Sequence, residues 1–133
     1  MSATAPAQKK WMTWTGRVLS ALVSALLAFG GIMKMMQPKE MVDGFTGQFG
    51  FPLATLTPIG ILELACALLY AIPRTRVFGA ILVAAYLGGA VVTHVRVGDV
   101  FIMPIVVGVA AWAGLFLRDA RLRALLPLVS DQD

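Results

Sequence analysis

Long apolar runs with few charged residues are the feature that most constrains this chain. A helix needs about 20 apolar residues to cross the hydrocarbon core of a bilayer, and in lipid its backbone amides must be paired internally. The runs lack the period-two alternation typical of strands. We therefore predict an all-α fold, an integral membrane four-helix bundle in up-down-up-down order, whose helices lie at residues 18–36, 53–72, 77–95 and 100–117.

The amino-acid composition also indicates that the helices lie in lipid. The chain is 59% hydrophobic and 14% charged, whereas a soluble domain has about a quarter charged residues. Lipid is therefore the predicted surrounding of the helices. The predicted domain limits are an N-terminal tail at residues 1–15, a transmembrane domain at 16–127 and a C-terminal tail at 128–133.

Basic residues lie mainly on one side of the predicted membrane, and the positive-inside rule places that side, with both termini, in the cytoplasm. They form no stripe of the kind that binds DNA, so nucleic acid is not a predicted partner. Aromatic residues suggest a belt at the same boundary: Trp11, Trp14, Tyr70 and Trp112. The basic residues on the cytoplasmic side are Lys9, Lys10, Arg17, Arg74, Arg76, Arg118, Arg121 and Arg123, against Lys34, Lys39 and Arg96 on the other.

The connection at residues 38–52 is the only sizeable one, and its sequence leaves two alternatives. Met41, Phe45, Phe49 and Phe51 give it an apolar side, which favours a short helix lying in the outer interface. The second alternative is a glycine-punctuated loop folded over the bundle.

Small residues recur at helical spacing and let membrane helices approach closely. Two alternatives remain open for them, contact within one bundle and a homodimer face. They are Gly16, Ser20, Ser24 and Ala28 on the first helix, Gly88 and Gly89 on the third, and Gly114 on the fourth.

Glu63 is the polar residue that most needs an explanation, because a bare carboxylate inside the bilayer costs about 2.5–3.5 kcal/mol on insertion scales. Candidate partners are Lys34, Tyr86, His94 and the neighbouring Arg96. Tyr86 and His94 share one face of their helix. One interpretation is a polar pocket for a small molecule, a quinone head group or a proton relay. The other is a Glu63–Lys34 pair that only fixes helix register.

Several chemistries find no support in the sequence. Cys66 is the only cysteine and His94 the only histidine, so no disulfide, zinc or bis-histidine haem site is predicted. No cofactor is predicted, although a quinone is a candidate ligand. Without a self-contained catalytic motif, enzyme activity stays undecided, with the balance against it.

Four stretches carry a family resemblance: GGIMK, GILELACALLYAIPRTR, GAILVAAYLGGAVVTHVR and WAGLFLRDARLRALLP. In combination and order they resemble the DoxX-like family of small bacterial membrane proteins, over residues 17–127. The family's glutamate and lysine match Glu63 and Lys34. Its Tyr, Gly-Gly and His-x-Arg positions match Tyr86, Gly88, Gly89, His94 and Arg96.

The resemblance implies a four-helix fold in the bacterial inner membrane and offers no general catalytic role. Its wider group includes a subunit of a thiosulfate:quinone oxidoreductase, so a redox- or quinone-associated subunit with a redox-enzyme partner is the first hypothesis. A non-catalytic scaffold or assembly factor for another membrane protein is the alternative. A carrier of small solutes or protons is the third.

Overall fold

The computed structural model describes residues 7–129, and that part of the chain contains helices and no strand, which confirms the all-α prediction. Residues 1–6 and 130–133, the outer parts of the two predicted tails, lie outside the described residues. In chain order the elements are α1 (Lys10–Met36), α2 (Lys39–Asp43), a π-helical turn (Gly44–Gln48), a 3-10 turn (Leu53–Thr55), α3 (Leu56–Ala71), α4 (Arg76–Arg96), α5 (Ile102–Arg118) and α6 (Ala120–Leu125).

The four long helices coincide with the four apolar runs. Within residues 7–129, three stretches are long and apolar enough to cross a membrane: α1, the 3-10 turn together with α3, and α4. The apolar helix α5 has 17 residues, about 25 Å at 1.5 Å per residue, which is at the lower limit for a span. The structure therefore supports three to four apolar membrane helices.

The outward faces of these helices are apolar, as lipid contact requires. Leu22, Phe29, Leu68, Val92 and Val109 are 61–66% exposed. Large apolar side chains are thus exposed on all four long helices. These faces, together with the length of the helices, indicate association with membrane lipid.

A single buried core lies where the long helices meet. Helix α1 contacts α3 and α5, and α4 contacts the same two helices. Side chains from all four fill the core, including Val23, Leu27, Val83, Ala111 and Leu115. The segment between α1 and α3 folds as α2 and the π-helical turn, so the short-helix alternative for residues 38–52 fits better than an irregular loop.

Tyr70 corrects one expectation, since it is fully buried and does not belong to an exposed aromatic belt. Its hydroxyl lies 2.6 Å from the Ala111 carbonyl oxygen and 3.0 Å from Ser20 Oγ. A carbonyl can only accept, so Tyr70 donates to Ala111 and accepts from Ser20. One phenol on α3 thus ties α1 and α5 together.

The predicted small residues divide into two groups. Gly16 and Ser20 are buried against Gly114 of α5, where a Cβ added to Gly16 would lie 2.5 Å from the Gly114 carbonyl oxygen. Ser24 and Ala28 are half-buried on the same helix. Gly88 and Gly89, by contrast, are exposed, and an added Cβ would meet nothing within 4 Å. The α4 pair is therefore free for contact with another molecule.

Asp119 links the start of α4 to the junction between α5 and α6. Its buried carboxylate accepts from the guanidinium of Arg121 at 2.9 Å and from that of Arg76 at 2.9 Å. It also accepts from the Arg121 backbone amide and so caps α6. The Arg121 and Arg76 hydrogen bonds hold the pKa of Asp119 well below its usual range.

This ion cluster makes stability depend on pH. Because the folded-state pKa of Asp119 is depressed, its stabilisation is present above the unfolded value of about 3.9 and is lost as pH falls below that value. We expect Asp119→Asn to lower the free energy of unfolding at pH 7 by about 1.5–3 kcal/mol. Denaturant unfolding in detergent at pH 7 and pH 3 measures this, and the deficit should shrink at pH 3.

The control is Asp43→Asn, which removes the same charge from an exposed position on α2. It should leave unfolding unchanged at both pH values. A deficit for Asp119→Asn of equal size at pH 7 and pH 3 would contradict the assignment.

Candidate functional site

Glu63 and Lys34 form an ion pair between α3 and α1. The distance from Lys34 Nζ to Glu63 Oε2 is 2.6 Å. The Lys34 side chain is 14% exposed and that of Glu63 is 7% exposed, so the pair is largely removed from solvent. A carboxylate this buried requires a partner, because its desolvation is otherwise uncompensated.

Tyr86 of α4 supplies a second donor to the same oxygen. Its hydroxyl lies 2.9 Å from Glu63 Oε2, and an ionised carboxylate can only accept. Three of the predicted site residues therefore meet at one atom, each from a different long helix. We name Lys34, Glu63 and Tyr86 the carboxylate cluster.

Two adjacent glycines on α1 explain how this cluster fits. A Cβ added to Gly30 would lie 2.5 Å from Glu63 Oε1, and one added to Gly31 would lie 2.8 Å from the Gly60 carbonyl oxygen. Gly31 thus lets the backbones of α1 and α3 approach, and Gly30 leaves space for the carboxylate. Lys34 follows Gly30 by four residues and so returns to the same helix face. The GGIMK sequence alone does not indicate these roles of Gly30 and Gly31.

A cavity of about 470 Å³ lies beside the carboxylate cluster. Lys34 and Tyr86 line it, whereas Glu63 sits behind them and does not. Thr93 and His94 are the other polar lining residues. The rest of the wall is apolar and consists of Met41, Phe45, Phe49, Phe51, Ile59, Leu62, Ala85, Gly89 and Ala90.

Aromatic rings of the segment between α1 and α3 form part of the cavity wall. Phe45 and Phe51 stack with their ring centroids 4.8 Å apart, and the Phe49 ring lies edge-on to His94 at 5.1 Å. These rings belong to the apolar side predicted for residues 38–52, so this part of the cavity wall could be anticipated from the sequence.

Among the described residues, neither His94 nor Arg96 forms a hydrogen bond or ion pair with Glu63. His94 Nδ1 donates to the Ala90 carbonyl oxygen at 2.7 Å, and its Nε2 is 3.9 Å from Asp99 Oδ2. Arg96 donates to the Phe49 carbonyl oxygen and lies over the Phe51 ring at 5.2 Å. The structure therefore places His94 in the cavity wall and Arg96 on the exposed outer side of the segment.

A larger groove of about 600 Å³ runs between α4 and α5 on the other side of α4. Its lining is almost entirely apolar and includes Ala84, Gly88 and Gly108. None of the carboxylate cluster reaches it. The smaller cavity is the better candidate site, because polar groups converge there and an apolar wall alone gives little specificity.

The cavity can bind and orient a ligand through a few hydrogen bonds. The Lys34 ammonium has three N–H donors, of which one is used by Glu63. The Tyr86 hydrogen is used by Glu63, which leaves the phenol oxygen as an acceptor. Within residues 7–129 there is no cluster of three histidine, cysteine, aspartate or glutamate side chains suited to a metal ion.

Breaking the Lys34–Glu63 pair should destabilise the protein more than removing both charges. Lys34→Met leaves a buried carboxylate without its cation, at a cost of about 3–5 kcal/mol. The double variant Lys34→Met/Glu63→Gln should lose much less than the two single losses added together. A double-mutant cycle on unfolding in detergent measures this coupling.

Lys39→Met is the matched control, since Lys39 is exposed on α2. It removes one lysine charge five residues further along the chain and should change stability little. Strictly additive losses in the cycle would show that the pair is not energetically coupled.

Comparison with known proteins places this arrangement in a family. The profile of the DoxX-like family matches residues 18–114, a range that contains the whole carboxylate cluster and the cavity. No curated protein and no solved structure matches the chain. The match covers most of the chain and includes three helices able to cross a membrane, so this multi-pass membrane protein belongs to the DoxX-like family.

Proposed function

We propose that this protein is a membrane subunit that binds a quinone-class ligand in the cavity beside the carboxylate cluster, in association with a redox enzyme. The observation that carries the proposal is a largely apolar cavity of about 470 Å³ with Lys34 and Tyr86 at its polar end. Small-molecule sites are typically apolar pockets of about 300–1,000 Å³ with a few converging polar groups.

The hydrogen-bonding capacity of the cavity favours a ligand with carbonyl oxygens. Lys34 retains donors that a carbonyl accepts, whereas an ammonium ligand would meet a like charge. The aromatic and aliphatic wall suits a flat ring and an attached apolar tail. These residues bind and orient a quinone, and the partner enzyme would supply its electrons.

The proposal includes an orientation in the membrane. The four long helices would form an up-down-up-down bundle in a bacterial inner membrane, with both termini in the cytoplasm. In support, Gln8 donates to the Leu117 carbonyl oxygen and Arg123 donates to Gln8, so the first and last described segments meet at one end. Most basic residues lie at that end, in agreement with the positive-inside rule. The cavity then opens in the outer half of the bundle.

Filling the cavity tests the binding proposal. Ala85 lines the cavity, while its neighbour Ala84 lines the groove on the other side of α4. We expect Ala85→Leu to raise the Kd for a short-tailed benzoquinone about tenfold or more, because overpacking costs about 1–3 kcal/mol. Isothermal titration calorimetry of the purified protein in detergent measures the affinity.

Ala84→Leu adds the same side chain on the same helix and should bind the benzoquinone as the wild type does. Binding that does not saturate, or that both variants weaken equally, would exclude the cavity as a quinone site.

A second candidate function is a non-catalytic scaffold, and the exposed glycines of α4 favour it. Gly88 and Gly89 leave open space on a helix whose other glycine, Gly79, is buried against Tyr70. Small residues at such a surface let a helix of another membrane protein, or a second copy, approach.

Gly88→Leu should therefore abolish a specific cross-linked complex in native membranes while leaving the monomer folded. Ala65→Leu, at an exposed position on α3, adds similar bulk elsewhere and should preserve the complex. If the wild type cross-linked only to random neighbours, and no product disappeared in Gly88→Leu, the result would count against the scaffold function.

A further inference from the structure

A polar cavity of about 360 Å³ lies at the N-terminal end of α4, whereas the cavity beside the carboxylate cluster extends towards the C-terminal end of that helix. It is formed where the turn between α3 and α4 meets the junction between α5 and α6. Three guanidinium groups and one carboxylate line it: Arg74, Arg76, Arg121 and Asp119. The cavity therefore carries two positive charges that its own residues do not neutralise.

The two kinds of arginine in this cavity have different tasks. Arg76 and Arg121 share Asp119, which fixes the positions of their guanidinium groups. Arg74 is exposed and forms no ion pair with any other residue in the range 7–129. Guanidinium is planar and offers paired N–H donors that match the oxygens of a phosphate group.

Apolar side chains lie directly beside these charges. Val77, Leu122 and Leu125 also line the cavity, and Leu125 is 53% exposed. Helix α6 buries Leu122 and exposes Arg121, as a short segment does when it lies along a membrane surface. A ligand bound here would meet positive charge and apolar surface together.

We propose that this cavity binds the phosphate group of an anionic lipid, with its acyl chains along the apolar side. Basic pockets between membrane helices hold such head groups. The helix ends place the cavity at the boundary between apolar and polar surface, where lipid phosphates lie. A soluble phosphate shares the head-group chemistry but would leave the apolar side unused.

The test compares two double variants that each remove two positive charges from the same end of the molecule. Arg74→Gln/Arg121→Gln removes charges from the cavity, and Lys9→Gln/Lys10→Gln removes charges from the exposed start of α1. Native mass spectrometry of the full chain in neutral detergent measures binding of phosphatidylglycerol, with phosphatidylcholine and inorganic phosphate as the other probes.

We expect one saturable phosphatidylglycerol site whose Kd rises at least about tenfold in the arginine variant, as loss of two cationic contacts near a membrane surface implies. The lysine variant should change the Kd by less than about threefold. Phosphatidylcholine should not compete. Inorganic phosphate should compete only weakly, and arginine-dependent binding of phosphate as tight as that of the lipid would overturn the lipid assignment.

If both double variants lost phosphatidylglycerol affinity equally, the binding would depend only on the general surface charge, and the proposed site would be wrong. The single variant Arg74→Gln controls for misfolding, because Arg74 takes part in no ion pair among the described residues. It should weaken phosphatidylglycerol binding without lowering the unfolding temperature measured in lipid-free detergent. Unchanged binding in this single variant would also contradict the proposal.

Discussion

The Lys34–Glu63 ion pair determines how the first two long helices fit together. The carboxylate can occupy its place only because Gly30 leaves room for Oε1 and because Gly31 and Gly60 let the two backbones approach. The pair in turn compensates a buried charge that α3 could not carry alone. Tyr86 extends the contact to α4, so Glu63 Oε2 on α3 is bonded to side chains of both α1 and α4.

The sequence could predict the helices and the need for a partner at Glu63. Hydropathy alone located the four long helices, because a helix that crosses the bilayer needs apolar residues along nearly its whole length. The start of α1 at Lys10 was missed, since residues 10–17 continue the helix beyond the apolar run. Lys34 was one of four candidate partners, together with Tyr86, His94 and Arg96, and the sequence could not choose among them.

The burial of Tyr70 and the location of Arg96 depend on distances between helices, which the sequence does not contain. A tyrosine at a helix end fits a membrane boundary and a core equally well by position, and only the carbonyl of Ala111 decides between them. Arg96 lies two residues from His94 in the chain, yet it turns outward and binds the segment that covers the cavity. The cavity is partly formed by the segment between α1 and α3. The spacing of residues in the sequence does not predict how that segment folds over the helices.

The different positions of the two charged partners along their helices have a consequence for biogenesis. Lys34 is the third residue from the end of α1, and its long side chain can extend to water when the helices are apart. Glu63 lies a full two turns inside α3 on a shorter side chain, so in an unassembled helix it cannot reach water in the same way. The glutamate therefore depends on the docking of α3 on α1 for its partner, whereas the lysine can remain hydrated until the two helices meet.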